Sequence, residues 1–409
     1  MTTAITVSDR EELLAQVIDA DLWARHGVPF EALGRLRESE PIARYEGGAV
    51  DPFWLVTRHA DIEAISKDST QWLNGPRTVL HNARGAPKRI NSLPQMDGAE
   101  HAQHRRAIQN WFNPVRIRRL EERARAVARE IVDSIAKKRS ADLVEELAAP
   151  HPLWLMCEIL GIPPAEHAQV LRVAKTLFAP PGPYAGEQRE SLVMTVEEVF
   201  DYSRHVVQRR RANPSDDLVS ALLAIETEGR PISEHETLSH LLVLISAGHD
   251  TTASAVSGGL LALIRHPESL ALLQKRSDLM AKAVDEMIRY VTPTTNFIRT
   301  AVKKVEMGGV RIEAGDDVCL HYAAANRDPR VFSDPDRFQI DRQPNRHHGF
   351  GVGPHNCVGQ MLAKTEMRTI FAELIPRIKS ISLDGDLKWT RAVWISALET
   401  LPASFEINQ

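Results

Sequence analysis

The stretch from Leu241 to Ile264 is apolar almost throughout and long enough to cross a bilayer, yet His249, Asp250, Thr251 and Thr252 occupy its middle. A carboxylate at the centre of a membrane span is costly and rare. The segment is therefore predicted to be a helix buried in a protein core, where a lone polar cluster demands a reason of its own. The composition can supply such a core: 43% of the residues are apolar and 25% are charged, which excludes collagen-like, disordered and mucin-like chains. Lys and Arg number 50 against 54 Asp and Glu, so the formal charge is 50 − 54 = −4. No global field draws such a chain to nucleic acid or to an anionic membrane.

At 409 residues two or three domains are allowed, but no linker, repeat or low-complexity run divides the chain, so residues 1–409 are read as a single domain. The expected fold class is mainly α with small β-sheets, α+β. Helical periodicity covers Ile117 to Ile135 after an Asn113-Pro114 start, then Leu153 to Leu160, Ala165 to Phe178, Ser191 to Arg211, Asp217 to Glu226, Leu279 to Val291 and Gln360 to Lys379. Two strand-rich patches are predicted, one about 41–57 around Gly47-Gly48 and one about 296–322 around Gly308-Gly309. Between two helices, Phe178-Ala-Pro-Pro-Gly-Pro-Tyr-Ala-Gly186 gathers turn formers and is expected to be an adjustable connection, a candidate lid.

Three widely separated cysteines, Cys157, Cys319 and Cys357, make no disulfide framework and suit a reducing cytoplasm. The N-terminus shows no export signal, so a cytoplasmic location is expected. Cys157 and Cys319 read as buried free thiols. Cys357 differs, because Phe350-Gly-Val-Gly-Pro-His-Asn-Cys-Val-Gly359 places it in a glycine-rich loop just before a helix. Unpaired N–H groups at a helix start favour thiolate over thiol, and thiolate ligates iron. Gly351, Gly353 and Gly359 allow sharp turns or close approach to a flat ligand. Zinc held by Cys357 with His347, His348 or His355 fares worse, since no second cysteine pair exists at ligand spacing. A cysteine protease lacks an identifiable base.

The loop carries every fixed position of the signature Phe-Gly-x-Gly-x-His-x-Cys-x-Gly and resembles that of the cytochrome P450 family. Glu286-Met-Ile-Arg289, Ala247-Gly-His-Asp-Thr251 and Asn326-Arg-Asp-Pro329 match the same family in order along the chain. Among its soluble bacterial members the chain looks most like monoterpene hydroxylases of the terpineol type, through Asn110-Trp-Phe-Asn-Pro114, Ala247 to Thr252 and Pro344-Asn-Arg-His347.

The resemblance implies haem b between a long central helix and the cysteine loop, with Cys357 as the iron ligand and Gly351 and Gly359 in its cradle. It implies His101, Arg105, Arg299 and His355 as propionate contacts, and Glu286 with Arg289 in a buried structural network completed near Asn345 or Arg346. Asp250 and Thr251 would deliver protons for O–O cleavage. Thr251 can bond back to Ala247 one turn earlier, bending the helix where Gly248 leaves room for dioxygen. Leu244, Ala247, Gly248, Thr294, Thr295, Phe297, Val393 and Trp394 would face a small hydrophobic substrate, a monoterpene or alkylaromatic, with steroids and fatty acids as alternatives. Electrons would come from an iron–sulfur ferredoxin and its NAD(P)H reductase, steered to Arg105, Arg106, Arg116, Arg118 and Arg119. A non-catalytic haem sensor and a peroxide-driven enzyme are the competing readings.

Overall fold

The computed structural model describes residues 6–80, 82, 84, 90–178, 187–227 and 229–408, with the backbone alone at 173, 175–178 and 187–195. The connection at 179–186, expected to be a lid, lies outside the described residues.

The polar-centred apolar stretch is the heart of a longer helix, Glu234–Arg265. It begins earlier than its hydrophobic part because Ser233 and Glu236 form a reciprocal capping box that satisfies two otherwise unpaired N–H groups. Buried residues occur on all its faces, as expected for a helix enclosed by others. Its buried hydroxyls bond inside the same helix: Ser246 to the Leu242 carbonyl at 2.9 Å, Ser254 to that of Asp250 at 2.6 Å and Ser257 to that of Ala253 at 2.9 Å. Against it pack the helices Pro150–Leu160, Met280–Val291 and Gln360–Leu374. Met280–Val291 comes close because Gly258 and Gly259 leave space for Val291 and Met287, where an added Cβ would stand 2.8–2.9 Å from their side chains.

The strand-rich patches are not two sheets. Phe53–Val56 lies parallel to Asp317–His321, with Trp54 opposite Val318, so both patches join one five-stranded sheet. Its order is Ile42–Tyr45, Phe53–Val56, Asp317–His321, Asn296–Ala301 and Trp72–Leu73. The second patch is interrupted, since its first strand ends at Ala301 and a separate hairpin starts at Val305.

The last helix also departs from expectation. It ends at Leu374 rather than Lys379, because Pro376 cannot continue the hydrogen-bond ladder. The chain then forms a strand, Ile378–Leu383, in a three-stranded sheet with Pro402–Ile407 and Ser140–Asp142, which the sequence reading missed. The helix Pro114–Ile135 starts where predicted, with the Asn113 side chain accepting from the N–H groups of Val115 and Arg116. Among the described residues no helix is long and apolar enough to cross a membrane.

Candidate active site between the long helix and the cysteine loop

The cysteine loop is folded on itself. The Cys357 N–H donates to the Phe350 carbonyl at 2.8 Å, Gly351 to His348 at 2.9 Å and Asn356 to Gly353 at 3.1 Å. Gly351 and Gly353 have φ of +66° and +79°, which side chains rarely adopt. At Gly353 the reason is close approach to the helix His59–Lys67, since a Cβ there would lie 2.2 Å from the Ser66 carbonyl oxygen.

Cys357 is exposed, but to a cavity whose wall it forms. Burial pushes its thiol above the usual range, while the N–H groups of Gly359 and Gln360 and the Arg105 guanidinium pull the other way. This corrects the expectation that the helix start alone would settle the thiolate. The donors are in place but burial outweighs them, so the anion needs a bound cation.

His101, Arg105, Arg299 and His355 line that same cavity. The rings of His101 and His355 stack with centroids 3.9 Å apart. Burial keeps both imidazoles neutral, helped by Arg105 at His101 and by His101, Arg299 and Arg105 at His355. His101 Nε2 is buried without a hydrogen-bond partner, a costly state unless a ligand completes it. Arg105 is committed to the loop, donating to the Asn356 carbonyl at 2.5 Å and to Asn356 Oδ1 at 2.7 Å. Arg299, itself buried, donates to the Ile298 carbonyl at 2.8 Å.

To the same cavity the long helix presents Val243, Leu244, Ala247, Gly248, Thr251 and Thr252. Thr251 Oγ1 donates to the Ala247 carbonyl at 2.6 Å, the back-bond the sequence suggested. The space beside Gly248 is taken by Met156, whose methyl would lie 1.8 Å from an added Cβ. The glycine thus admits a methionine into the cavity wall.

Asp250 is placed differently from the expectation. It does not line the cavity; its Oδ1 meets His249 Nδ1 at 2.8 Å, and Oδ2 is buried without a partner. The other nitrogen of His249 faces the Ala149 carbonyl at 3.1 Å. His249 thus ties Asp250 through one ring nitrogen and the Ala149 backbone through the other.

A second acid was missed. Glu366, from the helix Gln360–Leu374, lines the cavity with Oε1 unpartnered, and burial raises its pKa to about 8 against a hydrogen bond with Thr252. The signal was legible: Leu362, Glu366 and Ile370 recur every fourth residue on a face that is otherwise core.

Thr294 and Phe297 line the cavity, whereas Thr295, Val393 and Trp394 are not among its lining residues. Thr295 is fully buried and reaches the Val393 carbonyl at 3.4 Å, and Val393 belongs to the core around Trp23 and Leu33. Alternation explains the split between Thr294 and Thr295, neighbours in an extended chain that point to opposite faces.

Glu286 and Arg289 are completely buried and paired through two bonds of 2.7 and 2.8 Å. Their third partner is Arg342, whose Nε lies 3.1 Å from both Glu286 oxygens; Asn345 Nδ2 also donates, at 3.2 Å. Arg346 instead faces Glu63. Arg289 further donates to the carbonyls of Asn326 and Pro335, and Asn326 Oδ1 accepts from the His348 N–H at 2.7 Å. The network thus ties the base of the cysteine loop to the helix Met280–Val291.

The zinc set does not assemble. His347 bonds to the Gly349 N–H, and His348 faces the His59 carbonyl. Among the described residues the only metal-capable group, His59, Glu63 and His348, excludes Cys357, and the rings of His59 and His348 stack nearly parallel. A cavity with one thiol, an unpartnered imidazole nitrogen, two arginines and glycine-rich backbone fits a flat, dianionic, iron-bearing ligand such as haem.

Comparison with known proteins agrees. The family model described as Cytochrome P450 matches residues 168–391. The chain is 33% identical to cytochrome P450-terp of Pseudomonas sp, over 97% of each chain. It is 31% identical to linalool 8-monooxygenase of Pseudomonas putida, over 93% of this chain and 96% of that one. The crystal structure of CYP108D1 from Novosphingobium aromaticivorans superposes with a TM-score of 0.88 at 32% identity, over 97% of this chain and 99% of the other.

Proposed function

Because the chain belongs to the cytochrome P450 family and is therefore a haem b monooxygenase, we propose that it hydroxylates a monoterpene or alkylaromatic with electrons from an iron–sulfur ferredoxin. The observation that carries this reading is the cavity itself, lined by Cys357 and Thr251 together with Leu244, Ala247, Phe297 and Met156. Haem b with a sulfur ligand supplies oxygen activation there, the sulfur donating electron density that favours O–O cleavage.

The residues supply what remains. Cys357 holds the iron, and the paired rings of His101 and His355 with Arg299 receive the propionates. Arg105 fixes Asn356 and so the position of the sulfur. The apolar lining excludes water and selects substrates by shape. Thr251 Oγ1 positions a proton donor at the cavity face. Behind it stand the hydrogen-bonded His249–Asp250 pair and the Glu366 carboxyl, which burial keeps protonated at neutral pH. Polar groups of this kind beside the cavity suit oxygen reduction to a hydroxylated product and have no use in a ligand sensor. Likeness to P450-terp and to linalool 8-monooxygenase supports a terpene substrate.

On the sulfur side a second concavity is lined by Arg105, Arg106, Gln109, Pro354, Gln360 and Met361. Arg106, Arg118 and Arg119 are exposed nearby, and Met361 is 41% exposed, which suits an acidic carrier with an apolar centre to its footprint. Arg116 is already paired with Asp216 at 2.6 Å. Reduction by a ferredoxin is expected to slow steeply with salt, and a flat dependence would remove the steering role.

Substrate class is tested by titrating the ferric protein with monoterpenes, alkylbenzenes, steroids and fatty acids while following displacement of water from iron. Monoterpenes or alkylbenzenes are expected to give the strongest response. A response confined to steroids or long acids overturns the assignment.

A further inference from the structure

Among the described residues the helix Pro150–Leu160 sends one side chain to the cavity, that of Met156. It is 3% exposed and shares a core cluster with Ile108, Phe112 and Leu362, which also line the cavity. Its methyl stands where a side chain on Gly248 would begin. A Cβ built there lies 1.8 Å from Met156 Cε and 3.4 Å from Sδ, and no other element of the described residues comes within 4 Å of it. Gly248 itself lines the cavity one turn before Thr251 and Thr252. Glycine and methionine are therefore two halves of one shape: the recess left in the long helix by a missing side chain is filled by a thioether from another helix.

The backbone on both sides is held in place. Beside Gly248, His249 Nε2 meets the Ala149 carbonyl at 3.1 Å, which ties the long helix to the start of Pro150–Leu160. A ligand too large for the cavity gains room at this wall by turning the methionine side chain, not by parting the helices. That side chain suits the task, being unbranched, adaptable and without a strong hydrogen bond to lose. Turning it away from Gly248 still forfeits close packing on both sides, so the wall resists in proportion to how far it is pushed.

We propose that Met156 is a specificity-determining residue, its methyl setting the upper size limit of the hydrophobic substrate through its contact with Gly248. The inference rests on the reading of the cavity as the pocket for a small terpenoid or alkylaromatic, and it names the side chain that keeps the occupant small. The same contact gives Gly248 a task apart from leaving room for dioxygen. Any side chain at that position drives the methionine out of its recess and into the cavity, so the size limit belongs to the pair and not to either residue alone.

The test uses the ferric holoprotein and n-alkylbenzenes of increasing chain length, with dissociation constants read from the spin-state change. In the wild type affinity should climb by about fourfold per methylene buried, then fall once the chain meets Met156. Met156→Ala should move the maximum to a chain longer by about two carbons, the length removed less what the surroundings relax, and bind that ligand about tenfold more tightly than wild type does. Met156→Leu, of similar volume, should leave the maximum in place. Gly248→Ala should move it to a shorter chain, and adding Met156→Ala should cancel that shift, because the clash needs both partners. If Gly248→Ala does not load haem, the bulkier Met156→Phe supplies the shift to shorter chains. A maximum that stays in place in Met156→Ala, or a Gly248→Ala shift that survives removal of the methionine, overturns the role of Met156. Faster haem release with an unmoved maximum also overturns it, by placing the methyl against the cofactor. No response of the wild type to any alkylbenzene or monoterpene overturns the substrate reading with it.

Discussion

Glu286→Ala is expected to leave little or no folded holoprotein at ordinary temperature. The Glu286 carboxylate is fully buried and accepts from Arg289, Arg342, Asn345 and the backbone N–H of Gln339. Removing it strands two guanidinium groups, Arg289 at 0% and Arg342 at 6% exposure. Loss of one partner of a buried ion pair costs about 3–5 kcal/mol, and a whole protein is stable by only about 5–15 kcal/mol. The damage also reaches the site, because Arg289 holds the Asn326 carbonyl and Asn326 holds the His348 N–H beneath the cysteine loop. Glu286→Gln, which keeps the shape and loses the charge, should fall between the two. Urea midpoints and the haem-to-protein absorbance ratio measure the outcome; an Ala variant within about 1 kcal/mol of wild type would show that the pair is not structural.

Thr251→Ala is expected to bind haem and substrate normally and to waste electrons. The hydroxyl donates to the Ala247 carbonyl at 2.6 Å, so its oxygen is oriented at the cavity face with lone pairs free to hold a proton donor. Its removal leaves the Glu366 proton and the Asp250 carboxyl group without that intermediary, and a well-placed proton-transfer group is worth about 10²–10⁴ in rate. Product formed per NADH should fall by about tenfold or more, with the difference released as hydrogen peroxide, while Thr251→Ser retains most of the coupling. Simultaneous assays of NADH, product and peroxide decide it. Unchanged coupling in the Ala variant would remove Thr251 from proton delivery.

Much of this site could be read from the chain because its chemistry is local. Cys357, Gly351 and His355 lie within one loop, and Thr251 and Ala247 within one helical turn, so spacing alone brings them together. The misses are contacts between distant segments. Arg342 reaches Glu286 across 56 residues, and nothing in its neighbourhood distinguishes it from a solvated arginine. The parallel pairing of Phe53–Val56 with Asp317–His321 likewise leaves no mark in either segment. Thr295, Val393 and Trp394 were placed in the pocket by resemblance to the family, but Thr295 turns away from its neighbour Thr294 and Val393 packs into the core around Trp23 and Leu33. Asp250 was read as delivering protons, and its pairing with His249 emerges only when both side chains are positioned. Glu366 was the reverse case, a visible signal overlooked: a carboxyl at a core position of an amphipathic helix.

The reading depends above all on Cys357 binding iron as a thiolate, in a cavity where burial by itself would keep the sulfur protonated. The direct measurement is the optical spectrum of the reduced protein under carbon monoxide. Wild type should show the strongly red-shifted band of a thiolate-ligated haem, and Cys357→His should lose it in favour of an imidazole-type band. An imidazole-type band in the wild type, or no haem in the purified protein, would contradict the assignment.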